Sequence, residues 1–132
     1  MELQIIFQLI LAVILGSLIG FEREYKGKGA GLQTYSLVAL GSCLFTLASS
    51  QFVGFNPALI AVGIGFLGAG VIFRQPSGTI GLTTAAGLWL IAAIGVAVGA
   101  SFYFLAIFTT LLALLILAGF GLLEEKIFKE NK

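Results

Sequence analysis

From Gly29 to Leu123 the chain carries a single charged side chain, Arg74. A water-soluble domain spreads charge along its whole length, at about a quarter of its residues. Here 10% of the 132 residues are charged and 59% are hydrophobic. The remaining charges are gathered. Glu22, Arg23, Glu24, Lys26 and Lys28 form one cluster, Glu124, Glu125, Lys126, Lys129, Glu130 and Lys132 another, and Glu2 stands near the start. Within a bilayer core no water pairs with backbone N–H and C=O groups, and a helix satisfies them within one segment. The pattern therefore predicts an all-α, polytopic integral membrane protein.

A span needs about 20 apolar residues. Five runs meet or approach that length, predicting helices near 4–21, 32–52, 57–73, 82–98 and 102–123. The first lacks the basic start and the small-residue cleavage site of a signal peptide, so it reads as a span. Asn56-Pro57 opens the third, since Asn caps a helix and Pro fits its first position. Arg74-Gln75-Pro76-Ser77-Gly78 reads as a turn. The stretch from Ile80 to Leu123 is too long for one span, and Gly99-Ala100-Ser101 is the natural break. The fifth helix, with Phe102, Phe104 and Phe108 and no glycine before Gly119, is expected at the lipid-facing periphery.

Glycine and alanine set the expected packing. In membranes small residues let helix backbones approach closely. Ala12, Gly16 and Gly20 form such a seam on the first helix, and Ala85, Ala92, Gly95 and Gly99 on the fourth. The third is small on two sides: Ala61, Gly65, Gly68 and Ala69 share one face, and Gly63 and Gly70 lie opposite. It is predicted as the central helix. The second helix carries Ala39, Ser42, Cys43, Thr46, Ser49 and Ser50 within about a third of its wheel. Two readings follow: a stripe of interhelical hydrogen bonds, or one wall of a polar pathway.

The residue inventory excludes much chemistry. There is no His and no Asp, and Cys43 is the sole cysteine. That removes the usual zinc, haem and triad sets, and no catalytic residue and no cofactor are expected. Gly63-Ile64-Gly65-Phe66-Leu67-Gly68 matches G-x-G-x-x-G, but it lies inside an apolar run with no carboxylate from 75 to 123. The dinucleotide reading needs both a preceding strand and that acid, so it fails. A net charge of +1 gives no reason to expect a nucleic acid partner. Magnesium takes oxygen ligands. Glu22 is the metal candidate, with Glu24 beside it, but both have basic neighbours and a dedicated metal site is not expected.

All basic residues fall in the first loop, the third loop and the tail. Cytoplasmic loops are enriched in Lys and Arg. Five spans with the N-terminus outside and the C-terminus in the cytoplasm put all seven inside. At that rim Glu22, Arg23 and Glu24 have two readings: an interfacial charge cluster, or a Glu22 that faces the bundle and pairs with Arg74. The opening of the fourth helix, with Thr83 and Thr84, and Arg74 nearby would suit an anion; the alternative is a capped helix with a snorkelling arginine.

Several stretches together resemble the MgtC/SapB family. They are Gly20-Phe21-Glu22-Arg23-Glu24, Gly29-Ala30-Gly31-Leu32-Gln33-Thr34, Leu37-Val38-Ala39-Leu40-Gly41-Ser42, Gly63 to Ile72, and Gly81-Leu82-Thr83-Thr84-Ala85-Ala86-Gly87-Leu88-Trp89. The resemblance implies a five-helix protein of the bacterial inner membrane, linked to magnesium limitation and virulence, in which the MgtC branch looks more like a regulator than a pump. It marks Glu22, Arg23, Gly31, Thr34, Arg74, Thr83 and Thr84 as functional positions. Gln33 stands where the family often has Arg, and Asn56-Pro57-Ala58 where it often has Asp-Pro-x-Arg, so roles resting on those charges do not carry over. Many members add a soluble C-terminal domain; this sequence is expected to form a single transmembrane domain without one.

The expected function is non-enzymatic: a regulator in magnesium limitation or cation stress that binds a membrane protein or lipid, with the bilayer and a further copy of itself or another membrane protein as partners. The alternative is a small oligomeric transporter or channel for magnesium or another small solute.

Overall fold

A computed structural model describes residues 1–129; Glu130 and Lys132, counted above with the charged tail, lie outside the described residues. Five helices follow in order: α1 (Glu2–Tyr25), α2 (Leu32–Ser49), α3 (Leu59–Ala69), α4 (Leu82–Gly99) and α5 (Tyr103–Leu114). α5 runs on through a π-helical stretch, Leu115–Phe120, one α-helical turn, Gly121–Glu124, and a second π-helical stretch, Glu125–Lys129. α1, α2, α4 and the extended α5 are long and apolar enough to cross a membrane.

The third segment departs from expectation. Instead of a span over 57–73 there is an 11-residue helix and then a hairpin. The Asn56-Pro57 signal is realised in its hydrogen bond, since the Ala58 N–H donates to Asn56 Oδ1 at 3.0 Å. Regular helix begins two residues past Pro57. At the other end Gly70 N–H reaches the carbonyls of Phe66 and Leu67 and the helix stops. β1 (Phe73–Gln75) and β2 (Gly78–Ile80) then pair antiparallel around Pro76-Ser77, with Arg74 opposite Thr79. The turn was legible; the short strands flanking it were not. Gly81, at φ +88°, joins β2 to α4 in a left-handed conformation that suits glycine.

The centre of the bundle is α4, which packs against α1, α2, α3 and α5. α2 is held between α1 and α4 by glycines. A Cβ built on Gly16 would stand 2.7 Å from Tyr35 O and 2.8 Å from Ala39 Cβ; one on Gly20 would stand 2.9 Å from Leu32 Cα. From the other side, a Cβ on Gly95 would be 2.5 Å from Ala39 O, and one on Gly99 2.8 Å from Thr46 Cβ. No side chain fits at such distances, so these four positions let three backbones meet.

The predicted central role of the third helix is corrected. α3 packs mainly against α4. Gly63 and Gly65 have no atom within 4 Å of where a Cβ would be, Gly70 has only its own turn nearby, and Gly68 meets Ala85 at an ordinary 3.5 Å. Phe66 and Val62 point outward. Small residues permit close approach but do not cause it, and within this chain α3 has a neighbour on one side only.

The α2 stripe is interior as expected: Ala39, Ser42, Cys43, Thr46 and Ser49 are buried, while Ser50 is exposed. Thr46 and Ser49 donate to α2's own carbonyls, Ser42 O and Thr46 O, at 2.8 and 3.0 Å. Ala106, Thr110 and Ala113 are the buried line of the otherwise outward-facing α5.

Gln8 was not legible as a structural residue. It is buried near the start of α1, and its amide nitrogen lies 3.0 Å from Val98 O, 3.2 Å from Gly99 O and 3.1 Å from Ser101 Oγ. It thus donates to carbonyls at the C-terminus of α4, where a helix runs out of its own donors; Val98 O also accepts the Ser101 N–H at 3.0 Å.

Candidate functional site

At the opposite end of the bundle lie the last turns of α1, the starts of α2 and α4, the hairpin and the extension of α5. Arg23, Lys26, Lys28, Arg74 and Lys126 all belong to this end. The far end, comprising residues 1–4, the 50–58 loop and the turn after α4, contains no Lys or Arg.

Arg23 is the focus. Its relative exposure is 3%. Positions 12, 16, 20 and 23 recur at helical spacing, so Arg23 continues the small-residue seam and turns into the bundle. Its Nη2 donates to Thr84 Oγ1 at 3.1 Å. The Thr84 carbonyl accepts from the Tyr35 hydroxyl, also at 3.1 Å. Thr84 therefore ties α1, α2 and α4 together. Tyr35 reaches it because residue 87 is glycine: a Cβ there would stand 2.5 Å from the Tyr35 hydroxyl.

Glu22 is half-buried beside it. Its carboxylate lies 3.8 Å from Arg23 Nη1 and 2.8 Å from Lys26 Nζ, one turn on along α1. The Lys26 contact is an ion pair rather than a well-directed hydrogen bond; neither Glu22 oxygen accepts one. Lys26 instead donates to Leu117 O at 2.8 Å, in the π-helical stretch of the α5 extension. Glu24 takes another task. Its Oε2 accepts the Leu32 N–H at 3.2 Å and puts negative charge at the N-terminus of α2, where the helix dipole favours it. Gly31 makes this possible, because a side chain there would collide with the Glu24 carboxylate.

Of the two readings of Glu22, the pair with Arg74 does not form. Arg74 is exposed on β1, while Lys26 is four residues from Glu22 on the same helix, the spacing at which side chains meet. The opening of α4 is split: Thr84 is buried on Arg23, Thr83 is exposed, and Arg74 stands apart on the hairpin. Thr34 is half-buried in the first turn of α2. Among the described residues no three His, Cys, Asp or Glu side chains gather as a metal site.

Between α1, α4 and the α5 extension lies a cleft of about 1000 Å³. Arg23, Lys26 and Lys28 line it with Thr83, facing Ile116, Leu117 and Leu122; Glu124 and Glu125 also border it. A smaller apolar groove of about 130 Å³ shares Thr83, Ile116 and Leu117 with the cleft and extends between Ile19, Leu90 and Ala113.

The MgtC family model matches residues 9–126, nearly the whole described chain. The chain belongs to the MgtC family. YhiD of Escherichia coli K12, named as a candidate magnesium transporter, is 40% identical over 144 residues, covering 99% of this chain and 67% of YhiD. SrpB of Synechococcus elongatus is 37% identical over 138 residues, covering 90% of this chain and 76% of SrpB. MgtC of Brucella abortus is 49% identical over 94 residues, covering 67% of this chain but 40% of that protein. No solved structure matches. The family and the apolar helices make this a multi-pass membrane protein. The MgtC-family model spans both the Arg23 cluster and the glycine seams of α1, α2 and α4.

Proposed function

We propose that this MgtC-family protein resides in the bacterial cytoplasmic membrane, N-terminus outside and charged end inside, and acts in magnesium limitation as a regulator that binds another membrane component at its rim. The observation that carries this reading is the close-packed seam along α2. The Ser/Thr stripe that would wall a pathway is filled by the Gly16, Gly95 and Gly99 contacts with α1 and α4. Its hydroxyls at 46 and 49 are engaged by α2's own carbonyls. Magnesium sheds water reluctantly, and a route for it calls for a wet lumen or a ring of carboxylates. The accessible polarity lies at the rim instead, in Lys26, Lys28, Thr83 and Arg74.

The competing reading, magnesium transport, is supported by the name of the YhiD relative. Liposomes separate the two. The protein is expected to give no more magnesium entry than empty vesicles. Robust uptake, abolished by Glu22→Gln, would establish transport in its place. Arg74→Ala should leave the folded protein intact and impair growth in low magnesium, because Arg74 is an exposed contact residue.

A further inference from the structure

We propose that the cleft beside Arg23 is a phospholipid site, taking a headgroup that carries both a phosphate and a primary ammonium. The proposal goes beyond the regulatory reading and does not depend on it, since a transporter or a regulator can hold the same lipid.

Four observations converge. First, Arg23 lines the cleft, and its Nη1 has no closer carboxylate oxygen than that of Glu22 at 3.8 Å; its Nε, also without a partner, is enclosed by protein. A buried guanidinium with unused donors is costly unless something meets them, and phosphate matches its planar fork. Second, Lys28 lines the same cleft and has no ion-pair partner among the described residues. A phosphate there would meet two cations. Third, the cleft does not end in water. It shares Thr83, Ile116 and Leu117 with the apolar groove that passes Ile19, Leu90 and Ala113. A soluble phosphate has no use for that groove, whereas an acyl chain does. Fourth, the helix is widened at this place: Ile116 and Leu117 lie in the π-helical stretch Leu115–Phe120, and Leu117 O turns out to accept from Lys26. Such irregular turns are concentrated at functional sites.

The acidic side of the cleft selects among headgroups. Glu124, on the α5 extension, borders it with the basic residues of the first helix and its loop. A purely anionic headgroup would meet that carboxylate unfavourably, while an ethanolamine headgroup places its ammonium toward it and its phosphate toward Arg23 and Lys28.

The test is lipid retention by the full chain. The protein is purified in mild detergent and offered palmitoyl-oleoyl phosphatidylethanolamine, the phosphatidylglycerol of the same chains, or glycerophosphoethanolamine, and bound molecules are counted by native mass spectrometry. One retained phosphatidylethanolamine per chain is expected, with the glycerol lipid held at least about tenfold more weakly and no competition from the chain-free headgroup. Lys28→Gln changes an exposed side chain and should lower retention about tenfold, the effect of one charge-assisted hydrogen bond. Ala86 also lines the groove and is exposed, so Ala86→Phe fills it and should do the same without touching the cations. Circular dichroism on both variants checks the fold. Equal retention by wild type and both folded variants, or no retention by wild type, would overturn the site. A preference for phosphatidylglycerol would overturn the headgroup assignment, and competition by glycerophosphoethanolamine would overturn the role of the groove.

Discussion

Arg23 and Thr84 are 61 positions apart in the chain and meet at 3.1 Å, each almost wholly withdrawn from solvent at 3% and 4% exposure. The arginine is delivered by the small-residue face of α1, and the threonine by the first turn of α4. The same threonine offers its carbonyl to Tyr35, so one residue holds the charged ends of three helices in register.

Thr84→Val removes the hydroxyl and keeps the shape. Arg23 then has a buried donor without a partner, and the loss should be about 1–3 kcal/mol. Thr84→Ser should lose much less. Unfolding in detergent, followed by tryptophan fluorescence from Trp89 or by circular dichroism, measures both. Equal stability of the valine variant and wild type would mean that the contact contributes nothing.

The glycine seams make an asymmetric expectation. Gly95→Ala inserts a methyl where the Ala39 carbonyl already stands, and should cost about 1–3 kcal/mol. Gly65→Ala adds a methyl to open space in a helix, where alanine is favoured over glycine by about 1 kcal/mol, so it should be neutral or stabilising. If Gly65→Ala were the more damaging of the two, α3 would be central after all.

At the far end, Gln8→Leu should strand the carbonyl of Gly99, while Val98 O keeps the Ser101 N–H at 3.0 Å, and cost about 1–3 kcal/mol. Ser101 has φ +68°, which a side chain disfavours. Ser101→Gly should relieve about 1 kcal/mol of that strain but also removes the hydroxyl that accepts from Gln8, a loss of similar size, so its net effect should be small. Gln8→Leu should therefore lower the melting temperature much more than Ser101→Gly, and the reverse order would contradict this account of the α4 terminus.

Orientation can be read chemically. Cys43 is fully buried and should stay unreactive, so it need not be replaced. Single cysteines at Lys28, Val53 and Gln75 are exposed to an impermeant thiol reagent in intact cells. Only position 53 should label. Labelling at 28 or 75 would reverse the proposed sidedness.

Much of this architecture was legible because bilayer physics leaves few choices. The lengths of the apolar runs placed four spanning helices, and Gly99-Ala100-Ser101 broke the last pair where α4 ends. The α2 stripe was legible as interior because its six residues share one face; Ser50 is exposed because it caps the end of the helix. The errors have a common cause. A run of glycines announces that close approach is possible, and Gly63, Gly65 and Gly68 invited a central position that only the neighbours of α4 decide. At the rim, charge alone suggested Glu22 with Arg74. The decisive signal was periodicity: Arg23 falls on the Ala12–Gly16–Gly20 line, and Glu22 does not. Gln8 gave no signal, since a lone amide near a helix start is ordinary, and its three acceptors come from residues 98 to 101.

The brevity of α3 has a consequence for the surrounding lipid. Its 11 residues rise about 16 Å, roughly half of a typical hydrocarbon thickness, whereas the 24 residues of α1 rise about 36 Å. One flank of the protein is matched to an ordinary bilayer and the other to a much thinner one. Acyl chains beside α3 must shorten or splay, and mismatch of this kind costs fractions of a kcal/mol per Å. The protein should therefore act as a wedge of uneven height, settling where the membrane is already thin, and its melting temperature in bilayers should rise as the lipid chains are shortened.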